Sequence, residues 1–226
     1  MLAGLSLWIY NIIRLRNDVR SFSNYWSIPQ GETGGLVYLA LGDSAAQGIG
    51  ASRPDRGYVG LIANQIRMQT SRPVHVINLS KTGAKLADVI SHQLPLIANY
   101  KADIITVDIG GNDIRHYSKE QYENQIDQLT SQLPKGTIIA DIPYFMHGKW
   151  ERDSISAAEI ITCQALRNGL SVAKLHDQMS DRGLKSMLSD FAADWFHPND
   201  NGYKIWAKAF ESPIRERLKA ATKPAT

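Results

Sequence analysis

The chain contains a single cysteine, Cys163, among 226 residues. One cysteine cannot form an intrachain disulfide or a cysteine-based zinc site, and its scarcity is compatible with a reducing compartment. Long apolar runs are also missing: residues 1–13 carry no charged side chain, but a bilayer span takes about 20 apolar residues. The motifs H-E-x-x-H and G-x-x-x-x-G-K-S/T do not occur, which excludes the zinc protease and the phosphate loop that they mark.

A strong charge of one sign is absent as well. The formal net charge is +3, and lysine and arginine are scattered along the chain. Domains that bind nucleic acid cluster these residues on one face, so we expect no nucleic-acid partner. The apolar fraction of 43% and the charged fraction of 21% are ordinary for a globular protein and exclude wholesale disorder. The length suits one α/β domain with a large core.

The first thirty residues predict an amphipathic helix. Apolar residues recur there mostly at spacings of three and four: Leu5, Trp8, Ile9, Ile12, Leu15, Val19 and Phe22. No basic residue precedes the segment, and Arg14 and Arg16 follow its apolar part, which argues against a secretory signal and favours a cytoplasmic protein. The helix either packs on the domain or another subunit, or lies in a membrane interface. The second interpretation makes Trp8, Tyr10 and Trp26 interfacial aromatics and the protein membrane-associated.

From residue 36 onward, predicted strands and helices alternate. Short apolar runs predict five strands, at residues 36–41, 73–79, 103–109, 137–142 and 171–175. Helical patterns occupy residues 58–68, 86–94, 120–133, 155–168 and 201–218. The alternation predicts a three-layer α/β/α domain with a five-stranded parallel sheet, preceded by a glycine-rich linker at residues 31–35. Ligands bind such sheets beyond the carboxyl ends of the strands.

Polar or glycine-rich residues stand at these strand ends. Ser44 follows the first strand, Gly83 the second and Asn112 the third. Asp194 and His197 lie three residues apart near the C-terminus. Ester hydrolysis by a serine needs a nucleophile, a base, a group that orients the base, and donors for the oxyanion. Ser44, His197 and Asp194 fit the first three roles. The N–H groups of Ser44 and Gly83 and the side-chain amide of Asn112 fit the fourth.

These residues and their order resemble the SGNH hydrolase superfamily, also called the GDSL esterases and lipases. Four blocks carry the resemblance, over about residues 35–218: Ala40-Leu41-Gly42-Asp43-Ser44, Gly83, Gly110-Gly111-Asn112-Asp113 and Asp194 to Pro198. The resemblance implies a flavodoxin-like hydrolase domain at residues 31–226, after the helix and linker of residues 1–30. It implies Ser44 as the nucleophile, His197 as the base and Asp194 as the residue that orients it. It also implies an oxyanion hole of Ser44, Gly83 and Asn112, and acyl transfer to water with no metal and no cofactor.

Several alternatives stay open within this interpretation. The nucleophile elbow G-x-S-x-G is not met, because Ala46 occupies the place of its second glycine. An aromatic stretch after the fourth strand predicts pocket walls at Tyr144, Phe145 and Trp150, or else packs the loop onto the sheet. The substrate is a small-molecule, lipid or glycan ester, or a thioester. A carbohydrate O-deacetylase uses the same residues, and a non-catalytic binding module on this fold is the alternative from another class. The pattern makes no prediction of oligomeric state.

Overall fold

A six-stranded sheet forms the centre of the structure, a computed structural model that describes residues 15, 17–183 and 189–222. The strands are β1 (Gln30–Gly31), β2 (Leu36–Gly42), β3 (Val74–Asn78), β4 (Ile104–Asp108), β5 (Ile138–Ala140) and β6 (Ser171–Ala173). Their spatial order is β1-β3-β2-β4-β5-β6. β1 pairs antiparallel with β3, and the other neighbours pair in parallel. Counted from β2, the parallel strands follow the flavodoxin-like order 2-1-3-4-5, which places the switch of winding direction between β2 and β4.

Helices connect the strands and cover both faces of the sheet. They are α1 (residues 17–26), α2 (Ser44–Gln47), α3 (Tyr58–Thr70), α4 (Leu86–Asp88), α5 (Lys119–Gln132), α6 (Gly148–Arg167), α7 (Leu175–Ser180) and α8 (Asp200–Thr222). Short 3₁₀ segments lie at Pro54–Arg56 and Gly111–His116. The predicted helix at residues 86–94 is α4 followed by a π-helical turn at Val89–Gln93, and a 3₁₀ segment then continues to Asn99.

Two cores lie on the two faces of the sheet. Alternate residues of a strand point to opposite faces, so Tyr38 and Ala40 of β2 enter one core while Leu39 and Leu41 enter the other. The first core is closed by α3 and α8, with fully buried side chains that include Tyr58, Ile62, Tyr203 and Phe210. The second is closed mainly by α5 and α6, with Ile126, Leu129 and Ile161. The predicted α/β/α fold with its buried parallel strands is confirmed.

The predicted strand count was wrong by one. The five predicted strands are present as β2 to β6, and β1 adds a sixth at the edge of the sheet. β1 has two residues, and it pairs through Gln30 with Val76 and through Gly31 with His75. Two residues beside a glycine-rich stretch carry no alternation of apolar and polar side chains, so a strand of this kind leaves no periodic signal in the sequence.

The described part of the N-terminal helix packs on the domain. Leu15 and Phe22 are buried and form a small cluster with Ile49. Trp26 is 6% exposed, which contradicts its prediction as an interfacial aromatic. The indole is held inside because it packs in the first core and its Nε1 donates to the Gln47 carbonyl at 3.0 Å. Residues 1–14, with Trp8 and Tyr10, lie outside the described part of the chain, and so does Arg16.

The helices that the structure describes include no candidate membrane span. Within residues 15, 17–183 and 189–222, none combines the length and the apolar character that a bilayer crossing takes. The division of the chain at residue 30 stays a prediction.

Candidate active site

Ser44 occupies the sharp turn between β2 and α2. The carboxylate of Asp43 accepts a hydrogen bond from the Ala45 N–H at 2.9 Å and so caps the short helix that Ser44 begins. The turn also needs glycine at position 42, because a Cβ there would lie 2.3 Å from the Asp108 carbonyl oxygen. The close approach of β2 to β4 at Gly42 places Ser44 at the carboxyl edge of the sheet, 5% exposed.

His197 joins Ser44 to Asp194 in one hydrogen-bonded row. The Nε2 atom of His197 lies 3.0 Å from Ser44 Oγ, and its Nδ1 lies 2.6 Å from Asp194 Oδ2. The other oxygen of Asp194 accepts backbone N–H bonds from Phe196 at 3.1 Å and His197 at 3.0 Å. Burial works to raise the pKa of Asp194, but the hydrogen bonds and the charge of His197 outweigh it and hold that pKa below its usual value. The carboxylate is therefore ionised and fixed against the ring.

Backbone pairing within the loop holds the segment that carries His197, and this loop packs against the residues that follow α2. Phe191 and Pro198 form an isolated antiparallel bridge, and the Ala192 N–H donates to the His197 carbonyl at 2.8 Å. Gly50, which follows α2, allows the close approach of the two loops, because a Cβ there would lie 2.4 Å from the Pro198 carbonyl oxygen. Residues about 150 apart in the sequence thus meet through backbone contacts as well as through the imidazole.

Gly83 and Asn112, the predicted oxyanion donors from the next two strand ends, lie next to this row. The side-chain Nδ2 of Asn112 donates to Asp43 Oδ2 at 2.9 Å and to the Ala84 carbonyl at 3.0 Å. These bonds place the Asn112 amide between the residue before Ser44 and the residue after Gly83. Gly83 is exposed, with a φ of +79° that favours glycine. All five predicted site residues are therefore brought to one edge of the sheet.

Two buried carboxyl groups, those of Asp43 and Asp108, and the partly buried one of Asp113 lie near the turn. Burial raises the pKa of Asp43 to about 6, against the opposing effect of the Ala45 N–H bond. Burial likewise raises the pKa of Asp113 to about 6, and it holds that of Asp108 well above the ordinary range of an aspartate. Among the residues that the structure describes, no group of three or more His, Cys, Asp or Glu side chains is arranged to hold a metal ion.

Gln47, at the end of α2, is a residue that the sequence did not single out. Its side chain is buried and bridges α2 to the loop after β3, because Nε2 donates to the Ser80 carbonyl at 3.1 Å and Oε1 accepts from the Thr82 N–H at 3.2 Å. The hydroxyl of Thr82 donates to the same Oε1. Gln47 thus ties the helix of Ser44 to the segment of Gly83. A lone glutamine between small residues has no pattern that would have predicted this bridge.

The predicted pocket residues lie on two different elements. Tyr144 and Phe145 are partly buried in the loop after β5 and pack against the first and the second core respectively. Glu151 anchors this loop, since its carboxylate accepts from the Phe145 N–H at 2.8 Å and contacts His176 Nε2 at 2.8 Å. Trp150 stands near the start of α6 and is 50% exposed. Their part in a substrate pocket stays a prediction.

Known proteins share this fold and part of this sequence. The chain is 32% identical over 96 residues to the spore germination lipase LipC of Bacillus licheniformis, across 41% of this chain and 45% of LipC. It therefore spans less than half the length of that relative. LAE5, an alpha/beta hydrolase enzyme from the metagenome of Lake Arreo in Spain, superimposes with a TM-score of 0.66 at 22% identity, over 81% of this chain and 97% of LAE5. Axe2, an acetylxylan esterase from Geobacillus stearothermophilus, superimposes with a TM-score of 0.63 at 21% identity, over 79% of this chain and 94% of Axe2.

These two structural likenesses, at such identities, show the fold alone. The family is shown by the sequence itself, because the profile of the GDSL-like lipase/acylhydrolase family matches residues 40–205, well over half of the chain. The match covers Ser44, Gly83, Asn112 and the Asp194–His197 pair. The chain therefore belongs to the GDSL-like lipase/acylhydrolase family of the SGNH hydrolase superfamily.

Proposed function

We propose that this protein is a serine esterase that hydrolyses carboxylic esters through an acyl-enzyme on Ser44. The observation that carries the proposal is the unbroken row from Ser44 Oγ through the His197 ring to Asp194, with contacts of 3.0 and 2.6 Å. A serine is a weak nucleophile unless a base within hydrogen-bond reach removes its proton, and a second group that orients the base completes the arrangement.

In the first half of the reaction, Ser44 Oγ attacks the ester carbonyl while His197 Nε2 takes the hydroxyl proton. The Asp194 carboxylate accepts the hydrogen bond from Nδ1 and stabilises the imidazolium that forms. The tetrahedral intermediate collapses, the C–O bond to the alcohol breaks, and His197 gives its proton to the leaving oxygen. In the second half, His197 deprotonates a water molecule that attacks the acyl-enzyme. Collapse of that intermediate releases the acid and returns the proton to Ser44.

The oxyanion of both intermediates would be held by Ser44, Gly83 and Asn112. The Ser44 N–H lies in the first turn of α2, where backbone donors have no helical acceptor. Gly83 is exposed and has no side chain to block its N–H. Asn112 supports the set through its amide, which the Asp43 and Ala84 contacts hold beside the two backbone donors. Preorganised donors of this kind contribute a large part of the rate enhancement in acyl transfer.

Two observations bear on the class of ester. The similarity to LipC, which is named as a lipase, favours a lipid-like acyl ester. A carbohydrate O-deacetylase on the same residues is the second candidate, since the same fold is found in Axe2, an acetylxylan esterase. A non-catalytic binding module is disfavoured, because loss of catalysis would remove selection for the geometry that joins Ser44, His197 and Asp194.

The test is hydrolysis of a p-nitrophenyl ester series, from acetyl to long acyl chains, by the wild type, Ser44→Ala and Ser131→Ala. Ser131 is exposed on α5 and serves as the matched control. We expect activity in the wild type and in the control, and a loss of several orders of magnitude in Ser44→Ala. A preference for long chains supports the lipid ester, whereas activity confined to acetyl supports the deacetylase. Full activity in Ser44→Ala would remove Ser44 from the mechanism.

A further inference from the structure

The side chain of Gln93 binds both backbone groups of Gly42, two residues before Ser44. Its Nε2 donates to the Gly42 carbonyl at 2.8 Å, and its Oε1 accepts from the Gly42 N–H at 2.9 Å. Gln93 is 4% exposed. A side-chain amide suits this pairing because it carries one acceptor oxygen and a donor nitrogen, as a peptide group does. The end of β2 is therefore held by a buried side chain from outside the sheet.

Gly42 needs such a partner because the pairing of β2 with β3 ends at Ala40. The Ala40 carbonyl accepts from the Leu79 N–H at 2.8 Å. Residues two apart on a strand direct their backbone groups to the same side, so those of Gly42 face the space beyond the end of β3. The Lys81 N–H contacts the Gly42 carbonyl there at 3.2 Å. Without Gln93 the Gly42 N–H would lose its acceptor, and a buried backbone donor without a partner costs free energy.

Gln93 ends a segment, residues 83–93, that begins at the predicted oxyanion donor Gly83. Near the start of this segment, the Ala84 carbonyl accepts from the Asn112 amide at 3.0 Å. Near its end, α4 passes into the π-helical turn Val89–Gln93. Such turns are rare and are found frequently at functional sites. The segment is thus fixed to the loop of Asn112 at one end and to β2 at the other.

We propose that Gln93 is a positioning residue for ester hydrolysis, which holds residues 83–93 against the end of β2 and so sets where the Gly83 N–H lies relative to Ser44. The inference rests on the hydrolysis proposed for Ser44, and it adds a residue outside the triad and the oxyanion hole. Gln47 joins the same two parts of the chain in the opposite direction, from α2 to the loop after β3. The serine turn and the Gly83 segment are therefore joined at two points.

The position of the Gly83 N–H matters most when charge develops on the substrate. Donors fixed in advance stabilise the oxyanion of the transition state, whereas binding of the neutral ester depends on them much less. Removal of the Gln93 contact frees one end of the Gly83 segment, while Gln47 still holds the other. The expected effect is therefore a slower chemical step in a protein that still folds and still binds its ester.

Steady-state kinetics of Gln93→Met, Gln164→Met and Ser44→Ala tests this role, on the p-nitrophenyl ester that the wild type hydrolyses fastest. Methionine nearly keeps the volume of glutamine and removes both bonds to Gly42. Gln164 is 7% exposed in the last turn of α6, at the opposite edge of the sheet, and is the matched control for a buried amide. We expect kcat of Gln93→Met to fall about tenfold or more while KM changes less, and its labelling by a fluorophosphonate to slow by a similar factor. Gln164→Met should keep the wild-type kcat and labelling rate even if its melting temperature falls.

A folded Gln93→Met with the wild-type kcat and labelling rate would overturn the proposal, even if it melts at a lower temperature. An equal loss of kcat in Gln164→Met would also overturn it, because any buried amide would then have the same effect. If Gln93→Met does not fold, Gln93→Asn replaces it, since an amide one methylene shorter cannot reach both groups of Gly42, and an unchanged kcat there contradicts the proposal as well. Full activity in Ser44→Ala is a separate result, which would remove the proposed hydrolysis at Ser44 and the positioning role with it.

Discussion

The side-chain amide of Asn112 is held by the Asp43 carboxylate at 2.9 Å and by the Ala84 carbonyl at 3.0 Å. An asparagine amide has two N–H donors, and these contacts occupy both in the free protein. An oxyanion forming at Ser44 must therefore share one of them or replace a contact. Asp43 and the Ala84 carbonyl together set which way the amide faces, because both can only accept from its nitrogen. In the proposed mechanism Asp43 is a positioning residue that acts through Asn112.

The first prediction concerns this pair. Asp43→Asn replaces one carboxylate oxygen with an NH₂ group, which cannot accept a hydrogen bond. Either the Ala45 N–H or the Asn112 amide then loses its acceptor, or the Asn112 amide rotates so that its oxygen faces position 43. We expect kcat to fall about tenfold or more with little change in KM, less than the about 10²–10³-fold loss expected for Asn112→Ala. Steady-state kinetics on a soluble p-nitrophenyl ester measures both variants.

The double variant Asp43→Asn/Asn112→Ala separates a shared role from two independent ones. If Asp43 acts through Asn112, the double variant is no slower than Asn112→Ala alone, since the two effects are then not additive. Multiplied losses would show that Asp43 acts on the reaction by another route. A thermal melt of each variant checks that the fold is retained.

The second prediction concerns Gln47, which joins α2 to the loop of Gly83. Gln47→Met keeps the volume and removes the bonds to Ser80 and Thr82. We expect kcat and the affinity for a phosphonate transition-state analogue to fall together, by about tenfold, while KM changes less. The reason is that the Gly83 N–H moves relative to Ser44 and misses the oxyanion.

Gln132→Met is the matched control, because Gln132 is exposed on α5 and should be neutral for catalysis. If Gln47 had a purely structural role, Gln47→Met would lower the melting temperature but leave the affinity of the folded protein for the analogue unchanged. That result would count against the bridge as a positioning device.

The third prediction concerns the pH dependence of stability. Burial raises the pKa of Asp113 to about 6 in the folded protein, above its unfolded value near 4. The folded state therefore binds the proton more tightly between about pH 4 and pH 6, and the stability from this group is present at about pH 4 and lost as the pH rises through about 6. Asp113→Asn removes the ionisation and keeps an oxygen that can accept from the Leu86 N–H.

Melting temperatures across this range are the measurement. The Asp113→Asn variant should melt higher than the wild type at pH 8, and the difference should vanish near pH 4. Asp127→Asn, at an exposed position on α5, is the matched control for the loss of a carboxylate. A constant difference between Asp113→Asn and the wild type at every pH would contradict the assigned ionisation.

The features that the sequence predicted depend on local pattern. Apolar runs predicted β2 to β6, and the residues at their carboxyl ends then had to meet because parallel strands share that edge. Ser44 and Asn112 were found in this way, and the Asp194–His197 pair by its own spacing.

The features that were missed depend on long-range contacts. β1 has two residues and exists through its pairing with β3. An amphipathic helix places Trp26 on its apolar face whether that face contacts lipid or protein. The hydrogen bond from the Trp26 indole to the Gln47 carbonyl shows that the contact is with protein. Gln47 bridges α2 to the Gly83 loop only through its hydrogen bonds to Ser80 and Thr82, which lie more than 30 residues away. The pattern of residues within one segment does not predict contacts with partners so far away in the sequence.

The most direct test of the proposed mechanism is the site of covalent labelling by a fluorophosphonate. The reagent phosphonylates a serine that a neighbouring base activates, with loss of fluoride, and so stands in for the acylation step. Intact-mass and peptide mass spectrometry should find one phosphonyl group per chain, on the peptide that contains Ser44, and none in Ser44→Ala or in denatured wild type. A folded wild type that stays unlabelled, or that is labelled at a residue other than Ser44, would contradict the assignment of Ser44 as the nucleophile.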